Sequence, residues 1–160
     1  MAVLALFPGS FDPFTDGHEA IARRALALFD RLIIAVGVNT DKKYMFTAEE
    51  RVNIIRQRFI DTNNVEVTQY NGMTVDLCHE TGANFIVRGI RTSADLDYEQ
   101  TIAAVNRHLD PNIETVLLLA DDDHRDISST LIREQLAHEV SQANVSNDSL
   151  SQCLNTTYHI

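Results

Sequence analysis

The sequence has few of the residues that characterise fibrous, disulfide-rich or membrane proteins. Its 160 residues include only 2 Cys, 3 Pro and 6 Gly. Cys78 falls in an apparent helix and Cys153 in a polar tail, and their separation does not fit a metal site, so we expect no disulfide framework. The apolar run AVLALF near the start lacks a basic leader and meets Pro8 at once, which predicts neither a signal peptide nor a membrane span. We therefore expect a cytoplasmic protein that does not associate with membranes.

Basic residues are scarce as well. The chain has 13 Lys and Arg against 23 Asp and Glu, a formal net charge of -10. Nucleic acids are held mainly by clustered Lys and Arg, so this balance argues against broad nucleic-acid binding. Any anionic ligand would have to meet cations that are concentrated locally.

The remaining composition, 44% hydrophobic and 22% charged, is ordinary for a globular protein of one domain. Short apolar runs predict five strands, at residues 3–7, 32–38, 65–67, 84–87 and 116–120. Helical patterns alternate with them, at residues 17–29, 48–60, 73–81, 94–109 and 128–138, and Thr47 with Glu50 predicts a capping box at the start of the second. The alternation predicts an α/β fold, a single Rossmann-like doubly wound domain over residues 1–160 with a five-stranded parallel sheet. Residues 141–160 form a polar, variable C-terminal tail, which is either packed or loose.

The loops that follow the strands are the candidate functional segments. Ligands of open parallel sheets bind outside the carboxyl ends of the strands, where the strand order reverses. The loops concerned read PGSFDPFTDGH, NTDKKYMF, YNG, RGIRTSAD and DDDHRDISS. If the first and fourth strands adjoin at the reversal, His18 faces Arg88 and Arg91 across one cleft.

His18 stands at the start of the first predicted helix. A helix N-terminus offers unpaired N–H groups and a positive partial charge, which suit phosphate. The same positive end lowers a histidine pKa, so neutral His18 would donate a hydrogen bond to a phosphate oxygen. Position alone leaves a plainer interpretation open, in which His18 only begins a helix and Ser10 only makes a turn.

Basic side chains also stand at the strand ends. Lys42 and Lys43, like Arg88 and Arg91, could be ordinary solvated charges. Arg88, however, ends a buried strand beside Gly89, where the backbone can approach a ligand closely. Cations at strand ends of so acidic a chain favour anion binding.

The last two helices add further candidates. Ser128 is predicted as an N-cap, and the hydroxyls beside it would suit a triphosphate. Glu99 could reach the cleft, whereas Tyr98 is predicted to pack. The other histidines with helical or tail positions are predicted to lie at the surface: His79, His108, His138 and His159.

Four stretches together carry a resemblance: FPGSFDPFTDGH, KKYMFTAEER, RGIRTSADLDYEQTIAAVNRHL and ISSTLIRE. In order and spacing, over about residues 1 to 140, they resemble the bacterial phosphopantetheine adenylyltransferases, a family of the nucleotidyltransferase superfamily with the T/HxGH motif. The resemblance implies transfer of AMP from ATP to 4′-phosphopantetheine with magnesium (Mg2+), giving dephospho-coenzyme A and pyrophosphate in coenzyme A biosynthesis. It also implies a homohexamer, and it leaves the metal ligands unknown.

The resemblance assigns roles to particular residues. His18, Lys42 and Arg91 are implied as catalytic. Residues implied to bind the acceptor substrate are Ser10, Lys42, Met73, Thr74 and Arg88. Residues implied to bind ATP are Ser10, Phe11, His18, Gly89, Ile90, Arg91, Glu99, His124, Arg125, Asp126, Ile127, Ser128, Ser129 and Thr130. The acidic run of Asp121, Asp122 and Asp123 departs from the family's pattern, and we expect it to point to solvent.

Three other functions are compatible with parts of the pattern. Related nucleotidyltransferases act on glycerol phosphate or nicotinamide mononucleotide, but they usually read HxGH where this chain has Thr15. A non-catalytic ATP sensor would not need Ser10, Lys42 and Arg88 together. A scaffold protein would leave the placement of the cations unexplained.

Overall fold

The computed structural model describes residues 1–121 and 128–143 of the chain. Its strands are β1 (Leu4–Gly9), β2 (Arg31–Gly37), β3 (Val65–Tyr70), β4 (Phe85–Ile90) and β5 (Glu114–Leu119). Its helices are α1 (Asp16–Ala25), α2 (Ala48–Arg58), α3 (Thr74–Thr81), α4 (Ser93–Leu109) and α5 (Ser129–Ala143). The predicted alternation of strands and helices is confirmed, and no helix of the described ranges is long and apolar enough to cross a bilayer.

The strands form one parallel sheet in the order β3-β2-β1-β4-β5. The order reverses between β1 and β4, which confirms the α/β, doubly wound, Rossmann-like prediction. The predicted cleft between His18 and the two arginines required β1 and β4 to be neighbours at the reversal. They are neighbours, so the loop after β1 lies beside the loop after β4. The chemistry-bearing loops therefore share one edge of the sheet.

β2 buries side chains on both faces of the sheet. In β2, Leu32, Ile34 and Val36 join a core with α1 and α2, whereas Ile33 and Ala35 join a second core with α3. Successive side chains of a strand point to opposite faces, so this strand needs an unbroken apolar run. The run LIIAV that predicted a strand thus reflects burial between two helical layers.

Several helix starts are fixed by reciprocal caps. Thr47 and Glu50 form the predicted capping box of α2, since Thr47 Oγ1 accepts from Glu50 N at 3.1 Å and Glu50 accepts from Thr47 N at 2.8 Å. Thr15 caps α1 and Thr92 caps α4 in the same way. The loops before these helices are thereby held in one conformation.

β1 and β4 separate toward their carboxyl ends. β1 pairs with β4 at Ala5 and Leu6, whereas its ladder with β2 runs on to Gly9. β1 was predicted to end at Phe7 but includes Pro8, and proline is tolerated there because the ladder with β4 has already ended. The gap that opens between the two strands is where the candidate site lies.

Candidate active site

Two adjoining cavities lie over the carboxyl ends of the strands. The His18 cavity, of about 350 Å³, is lined by the loop after β1, by the start of α1 and by the first turn of α5. The Lys42 cavity, of about 270 Å³, is lined by the loop after β2, by β3 and by α4. They share a wall made of Pro8, Gly9, Ser10, Arg88 and Glu99. Ligands bound in the two cavities would therefore meet at this wall.

His18 occupies the third position of α1 and closes its capping box. The backbone N–H of Thr15 donates to His18 Nδ1 at 3.0 Å, and Thr15 Oγ1 accepts from His18 N at 3.3 Å. Nδ1 must present a lone pair to accept this bond, so the proton of a neutral ring lies on Nε2. His18 is consequently oriented as a hydrogen-bond donor from Nε2.

The surroundings of His18 keep its ring neutral. The Phe11 ring packs edge-on against it at 5.1 Å between centroids, and the Phe14 ring lies at 5.4 Å. Burial, followed by the charges of Arg91, Arg88 and Arg58, lowers the pKa of His18 from its ordinary 6.5 to about 3. The sequence prediction of a lowered pKa is confirmed in direction, although burial and cations account for it.

Arg88 spans the gap between β1 and β4. Its guanidinium binds the Glu99 carboxylate in a bidentate pair, with N–O distances of 2.8 to 3.0 Å, and it also donates to the carbonyl of Pro8. Glu99 is 5% exposed, whereas the Arg88 side chain is 29% exposed, so the carboxylate is withdrawn from water and the guanidinium is only partly so. Arg88 thus replaces the missing ladder between the strands and places a cation in both cavities.

Two glycines permit close packing beneath the site. A Cβ on Gly9 would lie 2.8 Å from the ring of Phe11, whose φ of 48° is unusual for a non-glycine residue. A Cβ on Gly89 would lie 3.0 Å from Ile21 on α1. The close approach expected at Gly89 therefore includes one to α1, although Gly89 also lines the His18 cavity.

The first turn of α5 docks on the loop after β1. Ser128 Oγ accepts from Leu131 N at 3.1 Å, which confirms it as the N-cap. Ser129 Oγ donates to the Pro13 carbonyl at 2.8 Å, and Thr130 Oγ1 accepts from Arg133 at 3.0 Å. Capping thus accounts for one hydroxyl, Ser129 and Thr130 have other partners within the fold, and all three residues line the His18 cavity.

The remaining predicted site residues divide between the cavities. Phe11 and Arg91 line the His18 cavity, whereas Lys42 and Thr74 line the Lys42 cavity. Met73 is half exposed before α3 and Ile90 is buried at the end of β4, and neither is among the lining residues. His124, Arg125, Asp126 and Ile127 lie outside the described residues, as do Asp122, Asp123, Cys153 and His159. The roles assigned to all these side chains stay predictions.

One expectation about an exposed residue is wrong and another is confirmed. Tyr98 does not pack, because it is 63% exposed and lines the His18 cavity. Asp121 is exposed, as expected, and its carboxylate lies 3.3 Å from Arg24. The amphipathic pattern of α4 predicts burial of Tyr98 only if another part of the protein covers that side of the helix. In the structure this side of α4 is open.

Sequence reasoning gave no role to three residues that support the loops. Asp12 accepts from Met45 N and Phe46 N at 2.8 and 2.9 Å. Arg133 donates to the Asp12 carbonyl at 2.7 Å. Arg51 is 1% exposed and donates to three backbone carbonyls. One signal for Arg51 was available, because it precedes the apolar Ile55 by four residues and so shares its helix face.

Most of the chain is similar in sequence to known proteins. Residues 6–135 match the family model described as cytidylyltransferase-like. The phosphopantetheine adenylyltransferase of Flavobacterium psychrophilum is 49% identical over 130 residues, which are 81% of this chain and 85% of that protein. The enzyme of the same name from Leptospira biflexa is 41% identical over 154 residues, 96% of each chain. This chain belongs to the phosphopantetheine adenylyltransferase family.

Solved structures of more distant proteins share the fold. A bifunctional NMN adenylyltransferase/ADP ribose pyrophosphatase from Francisella tularensis superposes with a TM-score of 0.71 at 16% identity, over 98% of this chain and 51% of that one. A lipopolysaccharide core biosynthesis protein from Thermoplasma volcanium gives a TM-score of 0.54 at 18% identity, over 76% and 98%. At such low sequence identities, these structural similarities establish the nucleotidyltransferase fold of this chain and no more specific property.

Proposed function

We propose that this protein transfers the adenylyl group of ATP to 4′-phosphopantetheine, forming dephospho-coenzyme A and pyrophosphate. The observation that carries the proposal is the shared wall of the two cavities, in which Ser10 and Arg88 belong to both. A transfer between two substrates needs the acceptor oxygen beside the phosphorus under attack. The His18 cavity would hold ATP and the Lys42 cavity would hold the acceptor, with the reacting atoms at the wall.

The residues at the wall suit a transfer without a general base. A phosphate monoester has a second pKa of about 6, so the nucleophilic oxygen is already ionised near neutral pH. The protein then has to align the acceptor oxygen with the α-phosphorus and to stabilise negative charge on the equatorial and leaving oxygens. The absence of a catalytic carboxylate from the sequence motifs agrees with this chemistry, and the one carboxylate at the wall, Glu99, is already paired with Arg88.

His18 would stabilise the transition state by donating from Nε2 to an oxygen of the α-phosphate. Its neutral state matters because a donor held in advance costs no reorganisation during the reaction. Ser10 and Lys42 would hold the acceptor phosphate from the other side. Arg91, whose charge reaches His18, would stand by the phosphates of ATP.

Magnesium fits the proposed site as a companion of ATP. In the described ranges, no group of three or more His, Cys, Asp or Glu side chains could hold a metal ion by itself. Mg²⁺ commonly binds through substrate phosphates and water with few protein ligands, so a protein cage is not required. When bound, the ion would neutralise charge on the leaving pyrophosphate, while Ser10, His18 and Arg91 position the reacting groups.

Family membership supports three further proposals. We infer a homohexamer, a cytoplasmic location and a single nucleotidyltransferase domain over residues 1–160. Nucleic acid and membranes are not proposed as partners. Light scattering of the purified protein tests the assembly directly, with a hexamer expected at about six times the mass of one chain.

The proposed activity is tested by pyrophosphate release. Purified protein is given ATP or CTP with each of three acceptors, namely 4′-phosphopantetheine, nicotinamide mononucleotide and glycerol 3-phosphate. Release is expected with ATP and 4′-phosphopantetheine, and His18→Ala protein from a parallel preparation controls for contaminating host enzyme. No release with that pair, or faster release with another pair, would contradict the proposal.

A further inference from the structure

Arg51 is the most deeply buried cation among the described residues, yet it lies outside the motifs that identified the site. It belongs to α2, and its side chain is 1% exposed. Burying a guanidinium costs several kcal/mol unless its donors are satisfied. The positions of its partners therefore indicate what the buried charge is for.

The partners of Arg51 lie at the ends of two adjacent strands. The β1–β2 ladder ends with Gly9 opposite Val36, and the next residues are Ser10 and Gly37. Arg51 Nη1 donates to the Ser10 carbonyl at 2.7 Å and to the Gly37 carbonyl at 3.0 Å. One nitrogen atom thus ties Ser10 to the start of the loop that carries Lys42.

The same guanidinium holds the far end of that loop. Arg51 Nε donates to the Phe46 carbonyl at 3.2 Å, and the Tyr44 ring lies over the guanidinium, 4.0 Å from Cζ to the ring centroid. Tyr44 in turn accepts from Asn39 N at 3.0 Å, which closes the loop on itself. Lys42 is exposed between these fixed points.

Asp12 completes the arrangement from the loop after β1. Its carboxylate accepts from the backbone N–H groups of Met45 and Phe46, so the Lys42 loop is attached to the Ser10 loop a second time. Asp12 also favours the charged form of Arg51, against the lowering of the Arg51 pKa by burial. Ser10, whose carbonyl binds Arg51 directly, is thereby joined to the loop that carries Lys42 by charged and aromatic groups.

We propose that Arg51, with Tyr44 stacked on it, is a positioning residue that sets the separation of Ser10 and Lys42 for the acceptor phosphate. This inference rests on the proposed function, because the acceptor is the substrate that Ser10 and Lys42 would hold. Arg51 touches neither cavity, so it acts through the two loops. Lysine could keep the charge, but it lacks the planar fork that reaches several carbonyls.

The test compares the effect of a substitution on KM for the acceptor with its effect on KM for ATP. In Arg51→Lys, KM for 4′-phosphopantetheine is expected to rise about tenfold or more, as for a misplaced binding group, while KM for ATP stays within about twofold. The matched control is Arg56→Lys, since Arg56 lies on the same helix and donates to a backbone carbonyl of β3 at Val67, away from both loops. That control is expected to leave all parameters unchanged.

A role in folding alone predicts a different pattern. Arg51→Lys would then lower the melting temperature and reduce the amount of active enzyme, with both KM values unchanged, and this result overturns the proposal. An equal rise of both KM values overturns it as well. Loss of activity in the unmodified enzyme would instead contradict the proposed function, so the two failures are distinguishable.

Variants of Tyr44 decide the case if Arg51→Lys does not fold. Tyr44 is only partly buried, so its replacement should be tolerated. Tyr44 also lines the Lys42 cavity, so two replacements at this position are compared. Tyr44→Leu removes the ring from the guanidinium and is expected to raise KM for the acceptor, whereas Tyr44→Phe keeps the ring and is expected to restore most of the affinity. An unchanged acceptor KM in Tyr44→Leu overturns the proposal.

Discussion

Thr15 and His18 hold each other at the start of α1 through two reciprocal hydrogen bonds. The backbone of Thr15 donates to the ring of His18, and the hydroxyl of Thr15 accepts from the backbone of His18. The bond to Nδ1 settles which ring nitrogen carries the proton. A capping box usually ends in Glu or Gln, and here the same geometry orients an imidazole toward the candidate site.

Replacement of His18 should affect the rate more than binding. We expect His18→Ala to lower kcat by about 100-fold or more, as for removal of one preorganised donor, with ATP affinity little changed. Steady-state pyrophosphate release and ATP titration measure the two quantities. His108→Ala, on the exposed side of α4, is the matched control and should be fully active. Intact turnover in His18→Ala would remove this residue from the mechanism.

Loss of the cap should separate stability from activity. Thr15→Val and Thr47→Val each remove one capping hydroxyl, and both should lower the free energy of unfolding by about 1 kcal/mol. Only Thr15→Val should also lower kcat, by about tenfold, because its cap fixes the helix that bears His18. Urea unfolding and kinetics on both variants check this, and an equal kinetic loss in Thr47→Val would show that the effect is general.

His18 should remain neutral throughout the physiological range. Its pKa is lowered to about 3, so its ring resonances should show no titration between pH 8 and pH 5. Nuclear magnetic resonance of the imidazole protons measures this, with His18→Gln identifying the resonances of His18. A midpoint near 6.5 would contradict the described environment.

The same lowered pKa predicts a stability effect with a definite sign. Below pH 6.5 the unfolded chain binds a proton at His18 that the folded chain does not, so stability falls as pH decreases, by at most about 1.4 kcal/mol per unit. The loss continues until the pH approaches the folded pKa of about 3. His18→Gln lacks this penalty, so its unfolding free energy should fall less than that of the unmodified protein between pH 6.5 and pH 4.

The pair of Arg88 and Glu99 allows stability and function to be tested apart. Arg88→Met leaves the buried Glu99 carboxylate without its partner and should destabilise the protein by about 3 kcal/mol. The double variant Arg88→Met with Glu99→Leu removes both charges and should recover much of that stability, but not the activity. Urea unfolding and pyrophosphate release measure the two effects. Recovery of activity in the double variant would show that the pair is structural only.

Most of the fold could be predicted from the sequence because the signals for strands and helix starts are local. The apolar run at residues 32–36 matched a strand buried on both faces, and Thr47 with Glu50 matched a helix start. The predicted end of β1 before Pro8 was wrong, because a proline can belong to a strand where the ladder with the neighbouring strand has ended. Whether a residue lies inside such a ladder is decided by chain segments far away.

The support of the site was harder to predict for the same reason. Arg51 binds Ser10, which lies 41 residues earlier, and Gly37, which lies 14 residues earlier. The sequence of a helical segment does not indicate which distant carbonyl groups its side chains will bind. Tyr98 shows the converse error, since its helix pattern could not reveal which side of α4 stays uncovered.

The central position of β1 sets a distance across the candidate site. Neighbouring strands of a sheet lie about 4.8 Å apart, so the loops after β2 and β4, which flank β1, start at least about two spacings or roughly 10 Å from each other, and the gap between β1 and β4 adds to this distance. Lys42 follows one of these strands and Arg91 the other. The sheet therefore fixes the span between the acceptor end and the nucleotide end, and a different strand order would need a different pair of loops to bring the same two substrates into contact.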